Sequence, residues 1–222
     1  MSNKHAIVFG ANGLVGSQIV KHLVENDRYE KVTLLNRRNV EIEHPKITFE
    51  FMDFRDIHKS WDMIKCDDLF YCIGTTMNHA RNKNEFFKIE HDYCINIAKI
   101  ANHNKVKQFF YISSKGANPK SLFFYNKTKG QIEEGLKKIG FPALHIFRPS
   151  VLLGKRSEFR FLESLAKTFL RMFNFLMIGF LKEIKAMPAS LLAKMIIATA
   201  SENKAGTHIY TNRKIHEYFK KK

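Results

Sequence analysis

Short apolar runs alternate along this chain with stretches of helical spacing. "KHAIVFG" (Lys4 to Gly10) is nearly continuous in apolar residues and predicts a strand buried on both faces. "KVTLLN" (Lys31 to Asn36) and "KITFEFM" (Lys46 to Met52) read as strands as well. "DLFYCIG" (Asp68 to Gly74) is another short apolar run ending in Gly, and "VKQFFYISS" (Val106 to Ser114) and "ALHIFRP" (Ala143 to Pro149) are strand-like. Between them the apolar spacing changes to three and four. Leu14 to Val24 predicts a helix, and Phe86, Ile89, Tyr93, Ile97 and Ile100 mark one face of a second, from about Glu85 to Ala101. A third runs from about Phe124 to Ile139 and stops at Gly140, with Pro142 beyond. Ala186 to Ala200 reads as a further helix with Pro188 near its start, and Gly206 to Lys220 as a short strand and a closing helix.

Strands that alternate with helices in this way build a parallel sheet covered on both faces. Right-handed crossovers make the product a doubly wound α/β domain. The 222 residues predict a single domain, 1–222, with a small C-terminal helical part. One stretch stands apart. Read as a helix, Glu158 to Leu181 carries Glu163, Lys167 and Arg171 in one charged column, and almost everything else is Phe, Leu, Met or Ile. So wide an apolar face must be covered. Three covers compete: the domain itself, with 154–190 as substrate-side wall or lid; a second subunit; or a membrane surface contacting 159–181.

The net charge of +16 attracts anions of several kinds. Its lysines are scattered, apart from the Lys220–Lys222 tail, and form no stripe of basic and aromatic residues. A specific nucleic-acid partner is therefore not expected. Three cysteines, Cys66, Cys72 and Cys94, without a Cys-x-x-Cys pair, argue for reduced thiols, and with no secretory leader visible the expectation is a cytoplasmic protein. The ten histidines show no metal-ligand spacing, so no metal site is expected.

The first apolar run continues as "GANGLVGSQIV", with glycines at Gly10, Gly13 and Gly16. In a doubly wound fold this strand-to-helix turn faces the ligand crevice. A tight turn, close approach of backbone to a pyrophosphate and close helix packing all favour residues without a Cβ. A helix beginning near Leu14 and Val15 aims unpaired N–H groups and its positive dipole end at phosphate. A dinucleotide site is the expectation. An NAD site usually has Asp or Glu at the end of the second strand. Here that strand ends "LLNRRN", and Arg37 and Arg38 suit a 2′-phosphate better than a carboxylate would. NADP is therefore favoured, with NAD possible. Asp53, just past the third strand, suits either an adenine amino group or a helix cap.

Tyr125 and Lys129 share a helix face at i and i+4. A lysine ammonium beside a phenol lowers its pKa and makes it a usable acid or base. The spacing is not diagnostic by itself: Tyr111/Lys115, Tyr210/Lys214 and Tyr218/Lys222 share it. Only Tyr125/Lys129 falls on a helix following a strand that ends in the hydroxyls Ser113 and Ser114.

Taken together, "GANGLVG", "CIGTT", "SSKGAN", "YNKTKGQIEE" and "FRPSVLLGKR" resemble the atypical branch of the short-chain dehydrogenase/reductase superfamily, which includes the Tat-interacting-protein-like oxidoreductases and their bacterial relatives. The resemblance implies a Rossmann fold with a small substrate part and an oxidoreductase acting on a small molecule; an apolar wall at Glu158 to Leu181 would suit an apolar carbonyl compound. It implies Tyr125 as catalytic acid/base, Lys129 as holder of the nicotinamide ribose, and Ser114, with Ser113 the alternative, as the group polarising a carbonyl. Ile73 and Gly74 would flank the cofactor, Pro149 to Val151 would pass near the carboxamide, and Arg37 and Arg38 would meet the 2′-phosphate. Asn12 departs from the Thr often found in relatives, though its side chain can still bond within the turn. Some members of that branch bind cofactor without a clear substrate and act as sensors, which is the competing reading. A nucleotide-sugar epimerase or dehydratase is disfavoured by the short region after Gly154.

Overall fold

The computed structural model describes residues 3–38, 42–77, 79–154 and 186–219. The chain opens with β1 (Lys4–Phe9), α1 (Gly16–Val24), β2 (Tyr29–Asn36) and β3 (Ile47–Phe51), then a 3-10 helix (Phe54–Met63) and β4 (Asp68–Tyr71). A long helical stretch follows in three parts: α2 (Lys83–Phe87), a π-helical turn (Lys88–Asp92) and α3 (Tyr93–His103). Next come β5 (Gln108–Ile112), α4 (Phe124–Ile139), β6 (Ala143–Arg148) and the two-residue strands β7 (Leu152–Leu153) and β8 (Met187–Pro188). The chain continues through α5 (Ala189–Glu202), β9 (Gly206–Thr211) and α6 (Asn212–Tyr218).

Seven strands form one sheet in the order β3-β2-β1-β4-β5-β6-β9, and β7 pairs with β8 separately. Every pairing is parallel. The strand order reverses between β1 and β4, the switch point where ligands bind in sheets of this kind. The doubly wound Rossmann-type sheet expected from the apolar runs is the fold observed.

Alternation along β1 shows how both faces are covered. Ile7 and Phe9 point into one core, with Ile97 and Ala101 of α3 and Ile132 and Leu136 of α4. Ala6 and Val8 point into the other, with Ile19 and Leu23 of α1 and Leu192 and Ile196 of α5. Each fully buried Phe, Leu or Ile contributes roughly 1.5–3 kcal/mol, so both helix layers are held by the same chemistry. The stop after α4 follows the sequence signal: Gly140 takes a left-handed conformation (φ +78°), which a side chain would strain.

At the amino ends of the strands a polar knot is buried within this apolar frame. The Asp68 carboxylate receives Tyr29 Oη at 2.6 Å, Gln108 Nε2 at 2.8 Å and Lys4 Nζ at 3.0 Å. Asn203, in a left-handed turn after α5, accepts from Lys4 Nζ at 2.7 Å and ties that helix to the knot.

Two local features depart from the pattern-based expectation. The predicted second helix contains the π-helical turn Lys88–Asp92, and the segment after β3 winds into a 3-10 helix. The long apolar helix expected over Glu158 to Leu181, and most of the expected lid at 154–190, lie outside the described residues.

Candidate functional site

The turn after β1 is built so tightly that side chains are excluded. Gly10 has φ +77°, and a Cβ there would lie 2.7 Å from the Cys72 carbonyl oxygen and 2.9 Å from Ile73 N. At Gly16 a Cβ would come within 2.9 Å of the Gly10 carbonyl carbon, and at Gly13 within 3.1 Å of its oxygen. The Gly13 N–H donates to that same oxygen at 2.9 Å, closing the turn. Val15 is buried, and Leu14 lies against Gly154, so α1 is fixed on the sheet with its first turn at the switch point. A cradle that any Cβ would fill fits a dinucleotide pyrophosphate.

Asn36, at the end of β2, has a role that sequence reasoning missed. Its Oδ1 accepts from Gly10 N–H at 3.0 Å, bracing the turn from the neighbouring strand. The next residues, Arg37 and Arg38, are exposed. The Arg37 guanidinium lies 5.9 Å from the centre of the Phe54 ring. Asp53 caps the 3-10 helix by accepting from Arg55 N at 3.0 Å and pairs with the Arg55 guanidinium at 2.7 Å. Those hydrogen bonds hold its carboxyl down at about 2. Capping, one of the two uses open to Asp53, is thus the one occupied here.

The second cluster forms where β4 and β5 end and α4 begins. Ser113 donates to Glu133 Oε1 at 2.5 Å, and Glu133 is also held by Arg148 Nε at 2.9 Å, so this serine is engaged in a structural bridge. Ser114 is different. Its hydroxyl oxygen is buried without a well-aligned hydrogen bond, yet lies near enough to Tyr125 to favour the ionised phenol. Gly130 lets the 117–119 loop lie directly on α4, since a Cβ there would meet Asn118 N at 2.7 Å. That contact fixes the helix start that carries Tyr125.

Lys129 is buried and points back under the strand ends. Its Nζ donates to the Ile112 carbonyl at 3.3 Å and sits 5.2 Å from the centre of the Tyr111 ring. It also pairs with Glu90 Oε2 at 2.8 Å. Glu90, from the π-helical turn, is 2% exposed, and its other oxygen accepts from Thr75 N–H at 2.5 Å. Burial alone would lower the Lys129 pKa; the Glu90 carboxylate, then Tyr111 and Tyr125, outweigh it and hold the ammonium well above its usual range.

The lowering of Tyr125 expected from Lys129 is present but outweighed. Burial pushes its phenol up, Lys129 pulls it down, Glu90 pushes it up again, and the net position is above the ordinary tyrosine value. Burial is the largest of these effects, and the Glu90 carboxylate offsets part of what the lysine lends the phenol. Nothing in the local Tyr-x-x-x-Lys spacing discloses Glu90, which lies on a different helix.

The remaining predicted positions also gather at this end. Ile73 and Gly74 follow β4 directly beneath Gly10, and a Cβ on Gly74 would lie 3.5 Å from Glu90 Oε1. Pro149 and Val151 leave β6, where Asn212 Oδ1 accepts from Ser150 N–H at 3.0 Å and Lys115 N–H bonds the Pro149 carbonyl at 2.8 Å. Asn12 also makes an interaction of its own. Gly10, Ile73, Ser114 and Pro149 thus follow the carboxyl ends of β1, β4, β5 and β6, with α4 bringing Tyr125 and Lys129 to the same side. By contrast, an open concavity of about 900 Å³ lined by His22, Asn26, Arg28 and Lys194 lies at the other end of the sheet. Among the described residues, no group of three His, Cys, Asp or Glu side chains could hold a metal.

Residues 6–133 match the NAD dependent epimerase/dehydratase family. The chain belongs to that family. Protein HTATIP2 of Rattus norvegicus is 33% identical over 173 residues, covering 76% of this chain and 71% of that protein. Protein FMP52 of Candida albicans is 36% identical over 156 residues, covering 68% of each. These agree with the resemblance to atypical short-chain dehydrogenase/reductases and with a nicotinamide dinucleotide cofactor. Among solved structures, MoeE5 in complex with UDP-glucuronic acid and NAD superimposes with a TM-score of 0.74 at 16% identity, covering 93% of this chain and 75% of that one. UDP-N-acetylglucosamine 4-epimerase from Methanobrevibacter ruminantium M1 gives 0.71 at 18% identity, covering 94% and 76%. At such identities these two likenesses establish the fold.

One expectation is overturned by the relatives. The cytoplasmic assignment rested on unpaired cysteines, and Cys66, Cys72 and Cys94 are indeed free thiols. The FMP52 relatives of Candida albicans, Meyerozyma guilliermondii and Emericella nidulans are mitochondrial proteins. Free thiols report a reducing environment, not one particular compartment, so the inference to cytoplasm fails. Among the described residues no helix is long and apolar enough to cross a membrane.

Proposed function

We propose that this chain is an NADP(H)-dependent oxidoreductase that transfers hydride between the nicotinamide and a small carbonyl or alcohol substrate. The observation that carries this reading is the convergence of Tyr125, buried Lys129 and the Ser114 hydroxyl beside Tyr125 on the same sheet end as the Gly10–Gly16 cradle. A bound nicotinamide would supply the hydride. The Gly10–Gly16 turn, with the first turn of α1, would take the pyrophosphate, and Ile73, Gly74, Pro149 and Val151 would border the nicotinamide half. Arg37 and Arg38 would grip the 2′-phosphate, which favours NADP, with NAD as the weaker ligand. Asp53, already capping, would lie beside the adenine.

In this reading Ser114 donates a hydrogen bond to the substrate carbonyl, Tyr125 gives it a proton as hydride arrives, and Lys129 holds the ribose and restores the phenol. Leu122 and Phe123, exposed immediately before α4, support an apolar substrate edge. Residues 1–222 would act as one domain, with 154–190 as the substrate-side wall.

Tyr125→Phe tests the chemistry. Turnover of an NADPH-coupled carbonyl screen should fall by about 10²–10⁴-fold while NADPH binding, followed by fluorescence, persists. Undiminished turnover would remove Tyr125 from the mechanism. A second reading, a cofactor-binding sensor that passes redox state to a protein partner, is favoured by one feature: the Glu90 carboxylate already matches the lysine charge. Tight NADPH binding with no consumption across a broad carbonyl screen would select it.

A further inference from the structure

Glu90 is an expensive residue to bury. A carboxylate at 2% exposure inside a layer of Tyr, Phe and Ile side chains must be matched or protonated. It is matched twice, by Thr75 N–H at 2.5 Å and by Lys129 Nζ at 2.8 Å. Those two partners belong to the parts of the site that matter most: Thr75 extends the Ile73–Gly74 turn beneath the cradle, and Lys129 stands one helical turn from Tyr125. The carboxylate reaches both because the helix carrying it is widened at that point into the π-helical turn Lys88–Asp92, a deformation often found at functional sites.

We propose that Glu90 is the positioning residue of this site, tying the cofactor-flanking turn to Lys129 and presenting that lysine to Tyr125 as half of an ion pair. This builds on the oxidoreductase reading but concerns charge within the protein itself. Without cofactor, Lys129 is locked toward Glu90 and the phenol remains protonated. A ribose hydroxyl arriving at Lys129 would have to share or displace the carboxylate, which links cofactor seating to activation of Tyr125. The other titratable groups facing the pair do not compete for this role. Tyr71 of β4, Tyr111 of β5 and Cys94 of α3 are all driven upward first by burial and stay neutral over the ordinary pH range.

The test needs neither cofactor nor substrate, so its outcome is separable from the oxidoreductase reading. With 3-fluorotyrosine incorporated at position 125, the phenol is titrated by ¹⁹F NMR in the otherwise native protein, in Glu90→Gln and in Glu90→Asp. The proposal expects the midpoint to fall by about one pH unit or more in Glu90→Gln and to stay near the native value in Glu90→Asp, which restores the charge. An unchanged midpoint in Glu90→Gln would reduce Glu90 to a packing element and overturn the proposal. Should Glu90→Gln fail to fold, the double variant Glu90→Gln/Lys129→Met removes both charges. Its midpoint should match the native one if the pair is compensating, and should rise well above it if Glu90 never offset the lysine.

Discussion

Among the described residues two lysine–carboxylate pairs are buried, one at each end of the same sheet, and they are built differently. At the amino end, Asp68 accepts from Lys4, Tyr29 and Gln108, and this cluster ties α5 to the strands. At the carboxyl end, Glu90 meets Lys129 among buried hydroxyls whose contacts are loosely aligned: Ser114 beside Tyr125, Tyr111 beside Lys129, and Tyr71. The amino-end cluster leaves one buried polar atom without an aligned partner, Gln108 Oε1, against several at the carboxyl end; fuller pairing suits a fixed frame, because every buried polar atom left unpaired costs about 1–3 kcal/mol. An unsaturated cluster at the switch point is tolerable where a ligand completes it. Equal burial therefore does not mean equal purpose; the count of satisfied atoms separates frame from site.

The sharpest challenge to that division is Asp68→Asn. It leaves Lys4, Tyr29 and Gln108 without their anion, and should cost about 3–5 kcal/mol in urea unfolding. NADPH affinity of the folded fraction should not change; a loss of affinity would mean that the two ends are not separable.

A second effect of nearly that size concerns pH. His145 is fully buried on β6, stacked 4.8 Å from Phe110 and facing His208 and Lys204. Burial, then His208 and Lys204, lower its pKa to about 4 from 6.5. Because the folded value is the depressed one, the unfolded chain binds the extra proton between those limits. Stability is fully present above about pH 6.5 and falls as pH drops toward 4, by about 3 kcal/mol in total from this group. His145→Phe should flatten that slope in unfolding measured across the same window; an unchanged slope would move its origin elsewhere.

Gly10→Ala acts on both sides of the comparison. Its positive φ and contact with Cys72 should cost about 2 kcal/mol of stability, and the displaced turn should abolish dinucleotide binding at concentrations that saturate the native protein. The smallest effect belongs to binding alone. Arg37→Ala, at an exposed position, should weaken NADPH about tenfold, or about 1.4 kcal/mol, with NADH affinity and unfolding midpoint unchanged.

Much of the frame could be read from local pattern. The Gly140 stop, the individual strand and helix runs, and the glycine turn each rest on neighbours within a few residues, where steric rules act directly. The charge state of Tyr125 could not. It depends first on the burial of the phenol and then on Glu90, 35 residues earlier, carried on a widened helical turn through which the three-and-four spacing of Phe86, Ile89 and Tyr93 passes without a break. Asn36 was likewise visible as a residue at a strand end, but its bond to Gly10 N–H required knowing that β1 and β2 are neighbours. Ser113 and Ser114 could be told apart only by finding Glu133 behind the first of them.

A crystal structure of the protein with NADPH bears most directly on the cradle at Gly10–Gly16. The pyrophosphate should rest against that turn and the first turn of α1, with the nicotinamide directed toward Tyr125 and Ser114. Coenzyme bound elsewhere, or a turn closed by the chain's own side chains in its presence, would contradict the assignment.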